Sequence, residues 1–321
     1  MVLTVTVAGV FHESWWGWFG GSTAPNDVSE FQPPPLTTDR PEDSDLTGGP
    51  YADVPERGDN SIEPVSRTAS IDPTKSAALL ESAHRALASG DKVLARAHFS
   101  EAMNLGLSAD DEQEARRQLR VLGRDTVFSP SCFENDPFAS YYTVQPGDSL
   151  GKIATAHDVT ADLLARINNI SDVNRIGAGQ RLKVIRGPFH ARVTKSTHTI
   201  DVFLGTVFVD HFKVGLGADD ATPTGAWVVR NKLTNPTYYP PRSGDIVSAD
   251  DPANPLGERW IGLEGVDGNA VGQMRYGIHG TVEPDSIGRN ASLGCVRLYN
   301  EDVEFLYDLL IVNKSKVEIR D

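Results

Sequence analysis

Apolar residues recur every three or four positions from Leu79 onward: Leu79, Leu80, Ala83, Ala86 and Leu87, then, past Gly90-Asp91, Leu94, Ala95, Ala97, Phe99, Ala102 and Met103. That period predicts two helices turned back on each other by the Gly-Asp break, with a third over residues 110–122. From Tyr142 the pattern changes. Alternation around 142–144 and 180–184 flanks helically spaced Ile153, Ala154, Val159, Leu163 and Ile167, which predicts strand, two short helices, strand. Beyond residue 188 short apolar runs dominate, at 190–193, 199–204, 207–214, 227–229, 260–263 and 274–279. Gly, Pro, Asn and Asp separate them, and Gly205-Thr206 forms a tight hairpin. One helix returns over 300–311, with Asn300 as its cap, Glu301 and Asp302 at its positive end, and Val303, Leu306, Leu309 and Leu310 on its buried face. Val317 and Ile319 then close the sheet.

These patterns predict a multidomain chain. Residues 74–125 are a helical, tetratricopeptide-like hairpin segment, and 126–140 a linker. Residues 141–186 form a small α+β module of βααβ order, and 188–321 a mainly β sandwich with one helix. A single tetratricopeptide-like unit is too short for a solenoid, so the helical segment reads as a spacer bundle or as a docking stub for a protein partner. Ahead of it, residues 1–20 are apolar and tryptophan-rich, in the manner of an anchor remnant with membrane contact, although His12 and Glu13 interrupt the run and no basic leader precedes it. Residues 21–73 are rich in Pro, Asp, Glu, Ser and Thr and predict a disordered, self-repelling acidic linker.

Composition narrows the function. The 321 residues are 39% hydrophobic, enough for several small cores, and the formal charge of −14 excludes a nucleic-acid partner in the absence of any basic run. Residues 21–72 hold eleven acidic and three basic side chains, so more than half of that charge lies in the linker and the C-terminal half is closer to neutral. Histidines at 12, 84, 98, 157, 190, 198 and 211 show no H-x-x-x-H spacing, and the two cysteines no C-x-x-C, so neither a metal nor another cofactor is expected. Cys132 reads as a reduced thiol in the linker, without function.

The chemistry points to one stretch. Arg275-Tyr-Gly-Ile-His-Gly-Thr281 and Ser286-Ile-Gly-Arg-Asn-Ala-Ser-Leu-Gly-Cys-Val-Arg-Leu-Tyr-Asn300 place His279 and Cys295 on either side of a loop able to fold back on itself. A thiol is only a few per cent ionised at neutral pH and needs a neighbouring base to become a nucleophile. Gly294 permits a tight turn beside an oxyanion, and Arg297 offers a planar cation to a carboxylate. His precedes Cys in this chain, which excludes papain-like order; caspase-like enzymes separate the pair by about 50 residues, and sortases space the two more widely.

The Ile-His-Gly-Thr and Ser-Leu-Gly-Cys-Val-Arg segments, followed by an amphipathic helix, resemble the L,D-transpeptidase (YkuD-type) catalytic domain from about Pro188 onward. Leu293 stands where many members carry His. The resemblance implies Cys295 as nucleophile and His279 as base, with Gly294, Ser292, Gly280, Arg297, Arg275, Tyr238 and Tyr239 around the oxyanion and substrate; Thr222-Pro-Thr-Gly225 also matches a landmark of the cleft. Tyr142-Thr-Val-Gln-Pro-Gly-Asp-Ser-Leu150 and Ile167-Asn-Asn-Ile170 resemble a LysM module. That likeness implies binding of peptidoglycan glycan strands through Gly147, Asp148, Ser149 and Leu150, with Asn169, Ile170 and Ser171 opposite. The reaction implied is a thioester with a tetrapeptide stem, release of D-alanine, and acyl transfer to a neighbouring stem amine in the cell envelope. Hydrolysis by the same site, as an L,D-carboxypeptidase, and a non-catalytic wall-binding scaffold are the alternatives.

Overall fold

The structure, a computed structural model, describes residues 73–240 and 244–321. The anchor remnant and acidic linker expected over residues 1–72 lie outside the described residues. No helix among the described residues is long and apolar enough to cross a membrane.

Three helices open the described chain: α1 (Pro73–Ala88), α2 (Lys92–Leu105) and α3 (Ala109–Thr126). Their ends follow from local chemistry. The Asp91 carboxylate accepts the Leu94 amide at 3.0 Å, the Ser108 hydroxyl accepts from Asp111, and Asp110, Asp111 and Glu112 occupy the first turn of α3, where the helix dipole favours anions. Ala83, Ala86, Ala95, Phe99, Ala115, Leu119 and Leu122 form the shared core, and Phe208 from the β-domain belongs to the same cluster. The helical segment is therefore not a free stub: its apolar face is covered within this chain, by the hairpin β4 (Thr199–Leu204) and β5 (Val207–Lys213). Arg116 pairs with Asp201 on β4, and Arg120 lies 3.0 Å from Asp210 on β5. At Gly123 a Cβ would fall 2.3 Å from the Val209 carbonyl oxygen, so the helix meets the strand through a position that only glycine can fill.

Residues 126–140, expected as a linker, are clamped. Arg96, almost fully buried, holds Asp136 through Nη1 at 3.1 Å and Nη2 at 2.9 Å, and Lys183 donates to the Thr126 and Ser129 carbonyls at 2.6 and 2.8 Å. Next come β1 (Ala139–Thr143), α4 (Leu150–Ala156), α5 (Ala161–Ile167) and β2 (Arg181–Ile185), with β1 and β2 antiparallel and Tyr142 opposite Leu182. Ser149 and Thr160 cap the two helices.

The remaining strands are β3 (Phe189–Thr194), β6 (Leu216–Gly217), β7 (Gly225–Thr234), β8 (Arg259–Gly265), β9 (Tyr276–His279), β10 (Asn290–Ser292), β11 (Val296–Arg297) and β12 (Lys316–Arg320), with α6 (Asn300–Leu309) between the last two. The expected sandwich is corrected: eight strands form one mixed sheet in the order β11-β9-β8-β7-β12-β3-β4-β5, and β6 pairs with β10 in a two-stranded ladder. The sheet curls until its edges meet. Chain leaving β5 reaches β11, where the Gly215 amide donates to the Arg297 carbonyl at 2.9 Å and the Arg297 amide returns the bond at 2.8 Å. Curling satisfies backbone groups that two open edges would expose, and helices α2 and α3 cover what remains of β5.

Candidate active site

β9 carries His279 and β11 carries Arg297, and the two strands run parallel with Ile278 opposite Val296 and His279 opposite Arg297. Cys295 precedes Val296 and so lies alongside Gly277. In a ladder, paired residues share a face and successive residues alternate, so Cys295, His279 and Arg297 project to one side while Ile278 and Val296 enter the core. Gly277 lets the Trp260 ring close on the strand, since a Cβ there would fall 2.5 Å from the indole, and its amide reaches the thiol.

The imidazole is oriented from two directions. His279 is 5% exposed, its ring stacks on Trp260 at 5.8 Å and 20°, and Nδ1 lies 2.6 Å from the Gly280 carbonyl oxygen. A carbonyl only accepts, so Nδ1 carries the proton and Nε2 keeps its lone pair. Burial depresses the His279 pKa to about 4, against a smaller upward pull from the Gly280 bond. Burial pushes the Cys295 thiol up, partly offset by the Gly277 amide and the Arg297 charge. Both shifts favour the neutral forms, a thiol at Cys295 and an uncharged imidazole at His279.

The turn before Cys295 is held by two hydroxyls. Ser292, 4% exposed, donates to the Cys295 carbonyl at 2.7 Å and accepts the Gly294 amide at 3.0 Å; Thr222, 1% exposed, donates to the Gly294 carbonyl at 2.9 Å and accepts the Gly217 amide at 2.8 Å. Gly294 sits at φ +135°, and a Cβ there would approach Tyr276 to 2.7 Å. The Gly294 amide is thus already engaged and is not free for an oxyanion, whereas the Cys295 amide has no partner among the described residues. Leu293 points outward, 70% exposed.

Other expected residues fall differently. Asn300 does not cap α6; Tyr299 occupies that position without a side-chain bond, and Asn300 Oδ1 instead accepts the Thr281 amide at 3.0 Å, bracing the segment after His279. Gly280 serves through its carbonyl on His279. Arg297 is mostly buried and its Nη1 binds Glu283 at 2.7 Å, while Arg275 is exposed. Tyr238 and Tyr239 lie on the long β7–β8 connection, Tyr238 bridged to Val247 and Tyr239 62% exposed; no contact joins them to His279 or Cys295 among the described residues. Trp260, Thr222 and Asn300 carry local roles that sequence reasoning did not assign, because each acts on a residue distant in the chain.

In the small module, Asp148 accepts from the Gln145 amide at 2.8 Å and the Tyr142 hydroxyl at 2.7 Å, which lower its pKa in that order. Gly147 turns at φ +87°, Ser149 caps α4, and Leu150 is buried. Asn169, Ile170 and Ser171 line a concavity of about 300 Å³ together with Asn168, Arg175 and Gln180; residues 147–150 are not part of its lining. Cys132 is a free, half-buried thiol.

The fold and the site thereby define a class: a curled mixed-sheet domain bearing a thiol and a neutral imidazole on one face, preceded by a βααβ module. Comparison with known proteins carries this further. The L,D-transpeptidase catalytic domain family, YkuD, matches residues 188–319, and the LysM domain family matches residues 142–184. YqjB of Bacillus subtilis, a protein named among the L,D-transpeptidases, is 37% identical over 132 residues, covering 40% of this chain and 69% of its own length. YkuD of Bacillus subtilis, named likewise, is 28% identical over 186 residues, covering 56% of this chain and 97% of its own. A solved L,D-transpeptidase from Mycobacterium tuberculosis H37Rv shares 18% identity at a TM-score of 0.33, over 45% of this chain and 64% of that one, so less than two thirds of its length is spanned. The chain belongs to the L,D-transpeptidase (YkuD) family and carries a LysM domain ahead of the catalytic domain.

Proposed function

We propose that the protein is a peptidoglycan L,D-transpeptidase in which Cys295 is the nucleophile and His279 the general base. The observation that carries the reading is the Nδ1 bond to Gly280, since it leaves Nε2 as the basic nitrogen on the face that Cys295 shares. The thiol proton passes to Nε2 as sulfur attacks the amide between diaminopimelate and D-alanine of a tetrapeptide stem. The C–N bond then breaks, the proton leaves with the D-alanine amine, and a thioester remains. A neighbouring stem amine attacks this thioester, Nε2 takes its proton, and the returning thiol closes the cycle.

The amide of Cys295, unpartnered among the described residues, is the donor available to the oxyanion. Ser292 and Thr222 hold the turn that aims it. Arg297 supplies positive potential and meets a substrate carboxylate in competition with Glu283, and exposed Arg275 is the second cation for that role. Tyr238 and Tyr239 form the outer wall of the cleft. In the LysM domain the concavity beside Asn169, Ile170 and Ser171 takes N-acetylglucosamine units of the glycan, with Gly147, Asp148, Ser149 and Leu150 shaping the facing loop. Both domains place the protein's work in the cell wall or envelope.

Incubation with a carbapenem followed by mass spectrometry tests the nucleophile: one adduct, on Cys295, is expected, and none on Cys295→Ala. Muropeptide analysis with tetrapeptide stems then separates the outcomes. Cross-linked dimers support transfer, tripeptides alone indicate water as acceptor, and unchanged stems leave a wall-binding scaffold.

A further inference from the structure

The LysM domain is fastened to the catalytic domain at several points, a group of them on α6, the helix that follows the strand of Arg297. Arg166 on α5 pairs with Asp308 on α6 and lies over the Phe305 ring at 5.3 Å, and the Thr160 hydroxyl donates to the Asp308 carbonyl. Lys314 pairs with Asp158, and the Gly187 amide donates to the His157 carbonyl at 2.8 Å, which draws the connecting segment onto the module. The far side is held by the helical segment: Lys183 of β2, 1% exposed, is bound to the carbonyls of Thr126 and Ser129, while Phe128 packs on Phe189 and Phe305 at centroid distances of 6.2 and 5.1 Å. Buried residues of the two domains, Leu163 and Val184 among them on one side and Phe189 and Leu306 on the other, form one continuous cluster. A tether would leave two separate cores and a solvated seam between them.

We infer that the LysM domain is a fixed gauge and not a mobile hook. Its groove keeps one orientation to Cys295, so the site acts on stem peptides standing at a set distance along the glycan from the sugars held. This rests on the proposed function, with LysM binding glycan and Cys295 accepting the acyl group. Asp308, Arg166, Lys314 and Lys183 are then positioning residues: they touch neither glycan nor thiol, yet decide which stems reach the thiol. A hook needs only an intact connection, because effective concentration on a flexible link changes slowly with geometry; a gauge loses its advantage once the angle is free.

Two experiments test this. In the wild-type protein, amide relaxation should give one rotational correlation time for residues of the LysM and catalytic domains; a distinctly shorter time for the LysM domain overturns the inference whether or not activity is found. In Asp308→Ala combined with Lys314→Ala and Phe128→Ala, which removes the ion pairs and the ring packed on Phe189 and Phe305, checked for folding by circular dichroism and for a freed LysM domain by amide relaxation, turnover on glycan-linked stems should fall at least about tenfold. Glycan binding and turnover of a free tetrapeptide stem should stay at wild-type values. Equal turnover of glycan-linked stems by variant and wild type sinks the gauge, as does an equal loss on free and glycan-linked stems, which marks a merely structural role. Wild-type protein that transfers no stem, or binds no glycan, refutes the functional reading instead and leaves the relaxation result to decide rigidity.

Discussion

Ser292→Ala isolates the bracing of the turn before Cys295, the proposed nucleophile. The hydroxyl is buried, donates to the Cys295 carbonyl at 2.7 Å and accepts the Gly294 amide at 3.0 Å, so its loss removes two bonds and strands a buried amide. Leaving such a donor unpaired costs about 1–3 kcal/mol. Thr222 still holds the Gly294 carbonyl at 2.9 Å, so the turn should loosen locally without unfolding the sheet. If that free energy is drawn from the reactive arrangement of the loop, at roughly 1.4 kcal/mol per tenfold, acylation slows by about 5- to 150-fold. The assay is the pseudo-first-order rate of carbapenem acylation followed by mass, with melting temperature measured in parallel. Thr222→Val should behave alike, and the double variant should slow the reaction by less than the product of the singles, because both hydroxyls hold one turn. Wild-type acylation rates in Ser292→Ala, with an unchanged melting temperature, would falsify the bracing argument.

Three further outcomes are expected. The folded pKa of His279 is depressed to about 4 from an ordinary 6.5, so its base stays unprotonated down to that region, and the acid limb of kcat/KM should lie near pH 4 and not near 6.5. His190 is likewise depressed to about 4 by burial; both bind protons more readily in the unfolded chain, so their contribution to stability is full above about pH 6.5 and is lost as pH falls to about 4, by at most about 3 kcal/mol per histidine, as read from denaturant midpoints across that range. Gly123→Ala drives a methyl into the Val209 carbonyl at 2.3 Å, which should lift α3 from β5, lower the melting temperature by several degrees and raise aggregation measured by light scattering; an unaltered melting temperature excludes the tight approach. Leu293→Ser, at a side chain 70% exposed, should change stability by less than about 0.5 kcal/mol, and a larger drop in a urea titration would mean that this leucine is packed.

The helices are legible in the sequence because their signals are local. Leu79 to Met103 keep a helical period, Asp91 and Ser108 stand where caps stand, and Val303, Leu306 and Leu309 repeat on one face of α6. The same holds for the longer strands beyond Phe189, at 199–204 and 207–213 above all, whereas the short β6, β10 and β11 carry too few residues to show a period. Where one local rule meets a stronger distant partner it fails: Asn300 has the chemistry of a cap, but its carbonyl oxygen is taken by Thr281. The β7 strand runs on to Thr234, past the apolar stretch at 227–229, because β8 pairs with it whatever its side chains are.

By itself, then, the chain determined where helices begin, which of the longer runs are extended, and which two side chains are the candidates for acyl transfer. Tertiary structure alone decided that the sheet curls through Gly215 and Arg297 instead of splitting into two layers, that the helical segment covers β5, and that Ser292 and Thr222 hold the turn before Cys295 while Gly280 and Trp260 hold the His279 ring. The reason is one of range. Period, capping and turn preference act over a few residues and leave their mark in composition, whereas strand pairing and buried hydrogen bonds join positions as distant as Thr222 and Gly294, whose mutual fit exists only once the backbone has closed around them.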